Sequence, residues 1–431
     1  MRAAQAPRAW RRFFSLFHGW LAALVALALA GCGGQERPLT DLQYWNGFVG
    51  PDGNITEPIL KDFESKTGAR IEVQKMPWGI YFDKLISAIA AGNPPDVFVL
   101  HMSELASYAE MGALLPLDEY INSNDSFCPK ADRIQSIWER ACYKGQCYGV
   151  PLDIHLLGLY YNKDYFDAAH LPYPSVTEPL RGEQFIEIAR KLTIQDKDAP
   201  TSNIWGFSFS GEPFRNFDTL LWQFGGNLLT DNLKQSAINS PEANKALQWM
   251  HDLVYKHKVS PMPEGVDTWQ FFVQGRIAMI TEGCWVLNGL TRYAKFRWGV
   301  APFFLAGGTR AVWATGHVLC LSRNLPRERI PMALKLMKHL NDTGVMWSTS
   351  GMLPTRYSQI RSKEFLEQSR AIPFTSQLDR IRFEPASPIG IELRDRYQQT
   401  VFSCLAGLFP VQQALARVDG QMNRTIETYY R

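Results

Sequence analysis

In this 431-residue chain, tryptophans, short carboxylates and histidines recur just after stretches that read as β-strands. An indole offers a flat, rigid apolar face, and a carboxylate accepts two hydrogen bonds. Together they suit a noncovalent grip on a solute with apolar C–H faces and hydroxyl edges. Trp45 and Asn46 end a short strand and enter a loop rich in Gly, Pro and Asp. Trp78 lies between Pro77 and Gly79. His101, Ser103 and Glu104 follow an apolar strand that ends at Leu100, although Glu104 equally suits the first turn of a helix. Glu212-Pro213-Phe214 follows a strand expected at 205–209, and Gly283-Cys284-Trp285 follows one ending at Ile280. Trp222, Trp313, His317 and Arg356 form a second group. Trp249 shares a helix face with Leu253 and Val254 and reads as core.

The elements that must position these residues alternate. A strand at 42–45 is followed by a helix carrying Ile59, Leu60 and Phe63, with Gly68 as its stop signal. Residues 70–74 alternate as a strand, 81–91 have helical spacing, and 96–100 form an apolar strand. A helix at 103–111 follows. A second region supplies strands at 157–161, 205–209, 276–280, 298–302 and 316–322, with helices at 182–192, 217–224, 241–257, 329–341 and from 389 to 430. This alternation predicts an α/β fold in two regions.

The first thirty-one residues stand apart. Arg2, Arg8, Arg11 and Arg12 precede an uncharged run of roughly 15 residues, shorter than the ~20 a membrane span needs. Leu29-Ala30-Gly31-Cys32 resembles a lipobox, which predicts a signal peptide at 1–31, lipidation at Cys32 and a polar tether at 32–40. Arg11-Arg12 also resembles a twin-arginine signal. The whole chain has 45 basic against 42 acidic residues; without the leader the count is 41 against 42, and eleven of the 13 tryptophans remain. Near-zero charge gives no field that would favour nucleic acid. Export permits disulfides. Cys142 and Cys147 could close a small loop around Lys144-Gly145, with Cys128 a rival partner for either; Cys284, Cys320 and Cys404 read as buried thiols.

Several segments resemble family 1 of the bacterial extracellular solute-binding proteins, the maltose-binding-protein-like receptors of ABC importers. They are Trp45-Asn46-Gly47-Phe48 with Gly50-Pro51-Asp52-Gly53, Gly92-Asn93-Pro94-Pro95-Asp96-Val97, Gly112–Asp118, Tyr148-Gly149-Val150-Pro151 with Tyr160–Lys163, Phe272–Met279 and Gly351–Arg356. Their order over about 41–356 carries the resemblance. It implies a class II periplasmic-binding-protein fold: two α/β lobes around a cleft, with an N-lobe of 40–152 and 304–352 and a C-lobe of 153–303 and 353–431. The crossovers would lie near 151–155, 302–305 and 352–356. It implies a polar contact from Asp153 and His155 in the first crossover, a carboxylate and an aromatic from Glu212 and Phe214, and a stacking platform at Gly283 and Trp285.

The same resemblance implies a monomeric, exported and membrane-anchored receptor without cofactor. It would bind a mono- or oligosaccharide and hand it to permease subunits driven by a separate ATPase. A phosphorylated polyol such as a glycerol phosphate is the second solute class, although Arg356 is the one arginine the sequence places near the cleft. An exported glycoside hydrolase is the rival class, with Asp153 and Glu212 as the carboxylates it would need. No nucleophile motif or nucleotide loop supports catalysis. A metal receptor using His101, His155 and His317 is disfavoured, because the three come from different loops and no carboxylate–His spacing joins them.

Overall fold

The computed structural model describes residues 41–121, 127–196, 198 and 203–431. The leader, Cys32 and the tether lie outside them. The described chain forms two five-stranded sheets and a small hairpin. In the first sheet, β1 (Asp41–Asn46) pairs in parallel with β2 (Arg70–Lys75) and β3 (Val97–His101). Helices α1 (Pro51–Thr67) and α2 (Trp78–Ala90) make these parallel crossovers. α1 buries Ile59, Leu60 and Phe63. It ends at Gly68, whose φ of 70° is a left-handed cap that a side chain would disfavour. All of β3 but its last residue is buried, as its unbroken apolar run requires.

The hairpin β4 (Cys142–Tyr143) and β5 (Gln146–Cys147) turns at Lys144-Gly145 and is closed by a Cys142–Cys147 disulfide. Cys128, Cys284, Cys320 and Cys404 are buried free thiols. The chain then forms β6 (Gly149–Pro151) on the first sheet and crosses through Leu152–Ile154 into β7 (His155–Asn162), the centre of the second sheet. β8 (Met279–Gly283), β9 (Trp298–Pro302) and β10 (Val312–Thr315) all run antiparallel to β7. The return to the first sheet was expected near 302–305. Because β9 and β10 both pair with β7, it falls instead at Gly316, after which β11 (His317–Leu321) lies between β3 and β6. A third passage is held by Ile154 and Leu353, which exchange two backbone hydrogen bonds of 2.9 Å.

Two strand expectations shift. Residues 205–209 form isolated bridges to Ile277 and Ile280 rather than a continuous ladder, and the strand read at 276–280 is paired over 279–283. The short β12 (Ile381–Arg382) extends the second sheet beyond β10. The second sheet is covered by α3 (Pro213–Gln223), which packs on β10; α4 (Pro241–Tyr255) and α5 (Gly390–Leu405) pack on α3 and on each other, and α6 (Val411–Tyr430) packs on both of them.

Candidate functional site

A cleft of about 700 Å³ opens where the two sheets meet. Its first wall carries Trp78, His101, Ser103 and Glu104, all at the carboxyl ends of β2 and β3 or in the turns that follow. Its second carries Glu212, Phe214, Arg215, Trp285 and Trp313. His155 and His317, the first residues after two of the crossings, form its floor.

The two half-buried cleft indoles are seated alike. A Cβ on Gly47 would meet the Trp78 ring at 2.2 Å, and one on Gly283 would meet the Trp285 ring at 2.0 Å. Each tryptophan therefore lies back over a glycine at a strand end, where no larger residue would fit. Trp78 stacks on His317 at 5.1 Å with an interplanar angle of 11°. Trp285 meets His155 edge-on at 5.3 Å and Trp313 at 6.5 Å. The Arg215 guanidinium lies over Phe214, Trp285 and Trp313, at 5.1, 5.2 and 5.0 Å from the ring centres, and pairs with Glu212. Trp313 donates its indole N–H to Glu384 at 3.2 Å.

Below this aromatic layer the cleft is strongly electrostatic. Arg394 donates to Glu104 at 2.8 Å and to Glu384 at 3.3 Å. Burial raises the Glu104 pKa, and the charge and hydrogen bonds of Arg394 offset part of that rise. Burial also favours the neutral forms of His101 and His155: His101 is pushed well below its ordinary value, the nearby His317 and His155 adding to the effect, and His155 falls to about 4. For Asp153, burial acts upward, but the charge and hydrogen bond of His317, together with the neighbouring His155, hold it below the usual carboxylate range. Its Oδ2 accepts from His317 Nδ1 and Trp347 Nε1, both at 2.7 Å, and its Oδ1 from the His317 backbone N–H at 3.0 Å.

The structure thus brings Trp78, His101, Ser103, Glu104, His155, Glu212, Phe214, Trp285, Trp313 and His317 around one cleft. Six expected residues are placed otherwise. Trp45 is half-buried on the face of β1 opposite the core residues Tyr44 and Asn46. Asn46 is fully buried and caps the following turn by accepting from the Phe48 N–H. Asp153 lies behind the floor. Trp222 is buried in α3 under Arg382. Gly283 supplies room for Trp285 rather than a contact. Arg356 is buried and pairs with Asp342 at 2.8 Å, away from the cleft.

Arg215, Glu384 and Arg394 line the cleft without having been singled out by the sequence. Arg215 follows Glu212 by three residues in the first turn of α3, a spacing that would have signalled the pair. Arg394 sits on an amphipathic helix with no local mark that it faces a ligand.

A model of the bacterial extracellular solute-binding proteins matches residues 59–369, and the chain belongs to that family. It is similar to a binding protein of Brucella abortus, 23% identical over 387 residues that span 88% of this chain and 90% of that one. Among solved structures it is similar to an ABC substrate-binding protein of Listeria monocytogenes in complex with cycloalternan, at 24% identity and a TM-score of 0.79, covering 90% of this chain and 99% of that one. It is likewise similar to an ABC transporter solute-binding protein of Thermotoga lettingae bound with α-D-tagatose, at 25% identity and a TM-score of 0.77, with the same coverage.

Proposed function

We propose that this solute-binding protein captures a mono- or oligosaccharide in the cleft and delivers it, chemically unchanged, to the permease of an ABC importer. The observation that carries the reading is the pair of glycine-seated indoles, Trp78 and Trp285, one on each wall. A pyranose presents apolar C–H faces that such rings cover, while its hydroxyls meet the Glu104, Glu212, Ser103 and histidine side chains. The sugar-bound state of the Thermotoga relative supports the same class. Closing two walls on the solute removes it from water and strengthens its hydrogen bonds. The carboxylates hold hydroxyls here and perform no hydrolysis.

The receptor acts as a monomer, on the extracytoplasmic side that its family occupies. Lipid on Cys32 and the 32–40 tether keep it beside its permease and ATPase partners. Its lobes follow the two sheets, 40–152 with the segment from β11 to 352, and 153 to β10 with 353–431.

Arg215 favours a second reading, a phosphorylated polyol, because its partner Glu212 is more than half exposed and could yield it to an anion. Calorimetry against neutral sugars and glycerol 3-phosphate separates the two. Saturable heat with a neutral sugar alone is the expected result; binding only of the phosphate would replace the sugar reading. Release of reducing ends from an oligosaccharide by purified protein, lost in Glu212→Gln, would make the chain a hydrolase instead.

A further inference from the structure

Two of the three passages between the sheets deliver metal-ligating side chains to one point. Asp153 lies in the β6–β7 crossing, His155 opens β7, and His317 opens β11 immediately after Gly316. No side chain fits at Gly316, where a Cβ would stand 2.2 Å from the Asp153 carbonyl oxygen, so the two passages touch there. As a result, one ligand atom from each of Asp153, His155 and His317 lies within 4.8 Å of the other two. All three residues are at most 5% exposed.

We propose that Asp153, His155 and His317 form a binding site for a divalent transition-metal cation of the zinc class at the junction of the two sheets. Two imidazole nitrogens and one carboxylate oxygen are the donor set of a three-ligand zinc site whose fourth position stays open. Two ligands each about 2.0–2.1 Å from a tetrahedral ion stand about 3.3 Å apart. The separations present here lie on either side of that value: Asp153 Oδ2 to His317 Nδ1 is 2.7 Å, and the other carboxylate oxygen, Oδ1, is 3.6 Å from His155 Nδ1. Small side-chain rotations reach it.

A second observation points to the same place. His155 Nδ1 is buried, faces Asp153 and makes no hydrogen bond. An unpaired buried nitrogen carries a desolvation cost that a cation would remove. The supporting layer is also built: the Trp347 indole and the His317 backbone N–H both donate to the Asp153 carboxylate and fix its orientation. Metal entry expels the proton that His317 Nδ1 shares with Asp153, and that proton leaves to solvent. The open position faces the cleft, which His155 and His317 both line. Water or a solute hydroxyl would occupy it. The site stands whether or not the solute is a sugar.

The test uses the exported chain, stripped with a chelator and titrated calorimetrically with ZnCl2. One zinc per chain is expected, with a raised melting temperature and, for the cobalt-loaded protein, the visible absorption of a tetrahedral site. His155→Gln and His317→Ala should each weaken binding at least 30-fold. Asp153→Asn disturbs Trp347 and could unfold the protein. His155→Gln removes a nitrogen that has no partner, so its melting temperature without zinc should stay within a few degrees of the parent. Absence of saturable zinc binding in the parent overturns the proposal. So does zinc binding by folded His155→Gln that matches the parent.

Discussion

Arg394 Nη2 lies 2.8 Å from Glu104 Oε1, tying helix α5, which packs on α3, to the turn that follows β3 of the first sheet. The same guanidinium reaches Glu384 at 3.3 Å, and Glu104 is only 3% exposed. Removing the arginine leaves two carboxylates facing each other out of water. Arg394→Met should therefore destabilise the protein by about 3–5 kcal/mol, the usual result of breaking one side of a buried pair. Glu104→Gln keeps a hydrogen-bond acceptor for Arg394 and should cost less. Urea unfolding of both variants checks the order; equal losses would show that the charge of Glu104 matters as much as that of Arg394.

Trp285 should be a binding residue rather than a packing one. It is half-buried, rests on a glycine and lines the cleft. Trp285→Ala should leave the melting temperature within a few degrees of the parent but weaken sugar binding by about 2 kcal/mol, or roughly 30-fold, as for a stacked anchor. A sugar-induced thermal shift that survives the substitution would remove Trp285 from the site.

Arg215 separates neutral from anionic solutes. Its guanidinium is spread over three rings and one exposed carboxylate. A neutral sugar should bind with nearly the same affinity in low and high salt, and Arg215→Gln should change that affinity by less than about tenfold. An anionic solute would lose affinity steeply with salt and bind Arg215→Gln hardly at all.

The disulfide should be a local staple. Cys142 and Cys147 face each other across the hairpin, five residues apart. A loop this short restricts the unfolded chain by only about 2 kcal/mol. Cys142→Ser/Cys147→Ser, or reductant, should lower stability by no more than that and leave sugar binding intact. Loss of binding on reduction would mean that the hairpin shapes the cleft.

Much of this fold is legible in the sequence, because local patterns carry it. Alternation at 70–74, the apolar run at 96–100 and the helical spacing of Ile59, Leu60 and Phe63 each mark an element that the structure contains. β10 is hidden for a physical reason. Val312–Thr315 and His317–Leu321 read as nearly one apolar stretch, and only Gly316 between them divides it between two sheets. The strand-end indoles Trp78 and Trp285 are visible from their turn neighbours. Their glycine seats are not, since Gly47 precedes Trp78 by thirty-one residues. Asp153 and His317 are 164 residues apart and meet only because two crossings touch. Arg394 meets Glu104 across 290 residues, a distance no local pattern reports.

Glu282 should give the protein a pH-dependent stability. Its carboxyl accepts from the Gly283 N–H at 2.9 Å, beside the strand end that seats Trp285. Burial pushes its pKa up from 4.5 to about 7; the Gly283 hydrogen bond and Arg215 oppose the rise, and Glu212 adds to it. The folded protein therefore holds this proton more tightly than the unfolded chain does. The stabilisation is complete below about pH 4.5, declines as pH rises through 7, and is absent above that. Its upper bound is about 3 kcal/mol, and partial solvent contact of the carboxyl reduces it. Glu282→Gln keeps the acceptor oxygen and cannot ionise. Relative to the parent, its unfolding free energy should grow between pH 5 and 8 and then level off. A difference that stays flat with pH would show that Glu282 ionises equally in both states. If the difference grows and Trp285 fluorescence in the parent titrates over the same range, the charge on Glu282 also moves the indole above it, and solute affinity should fall in step.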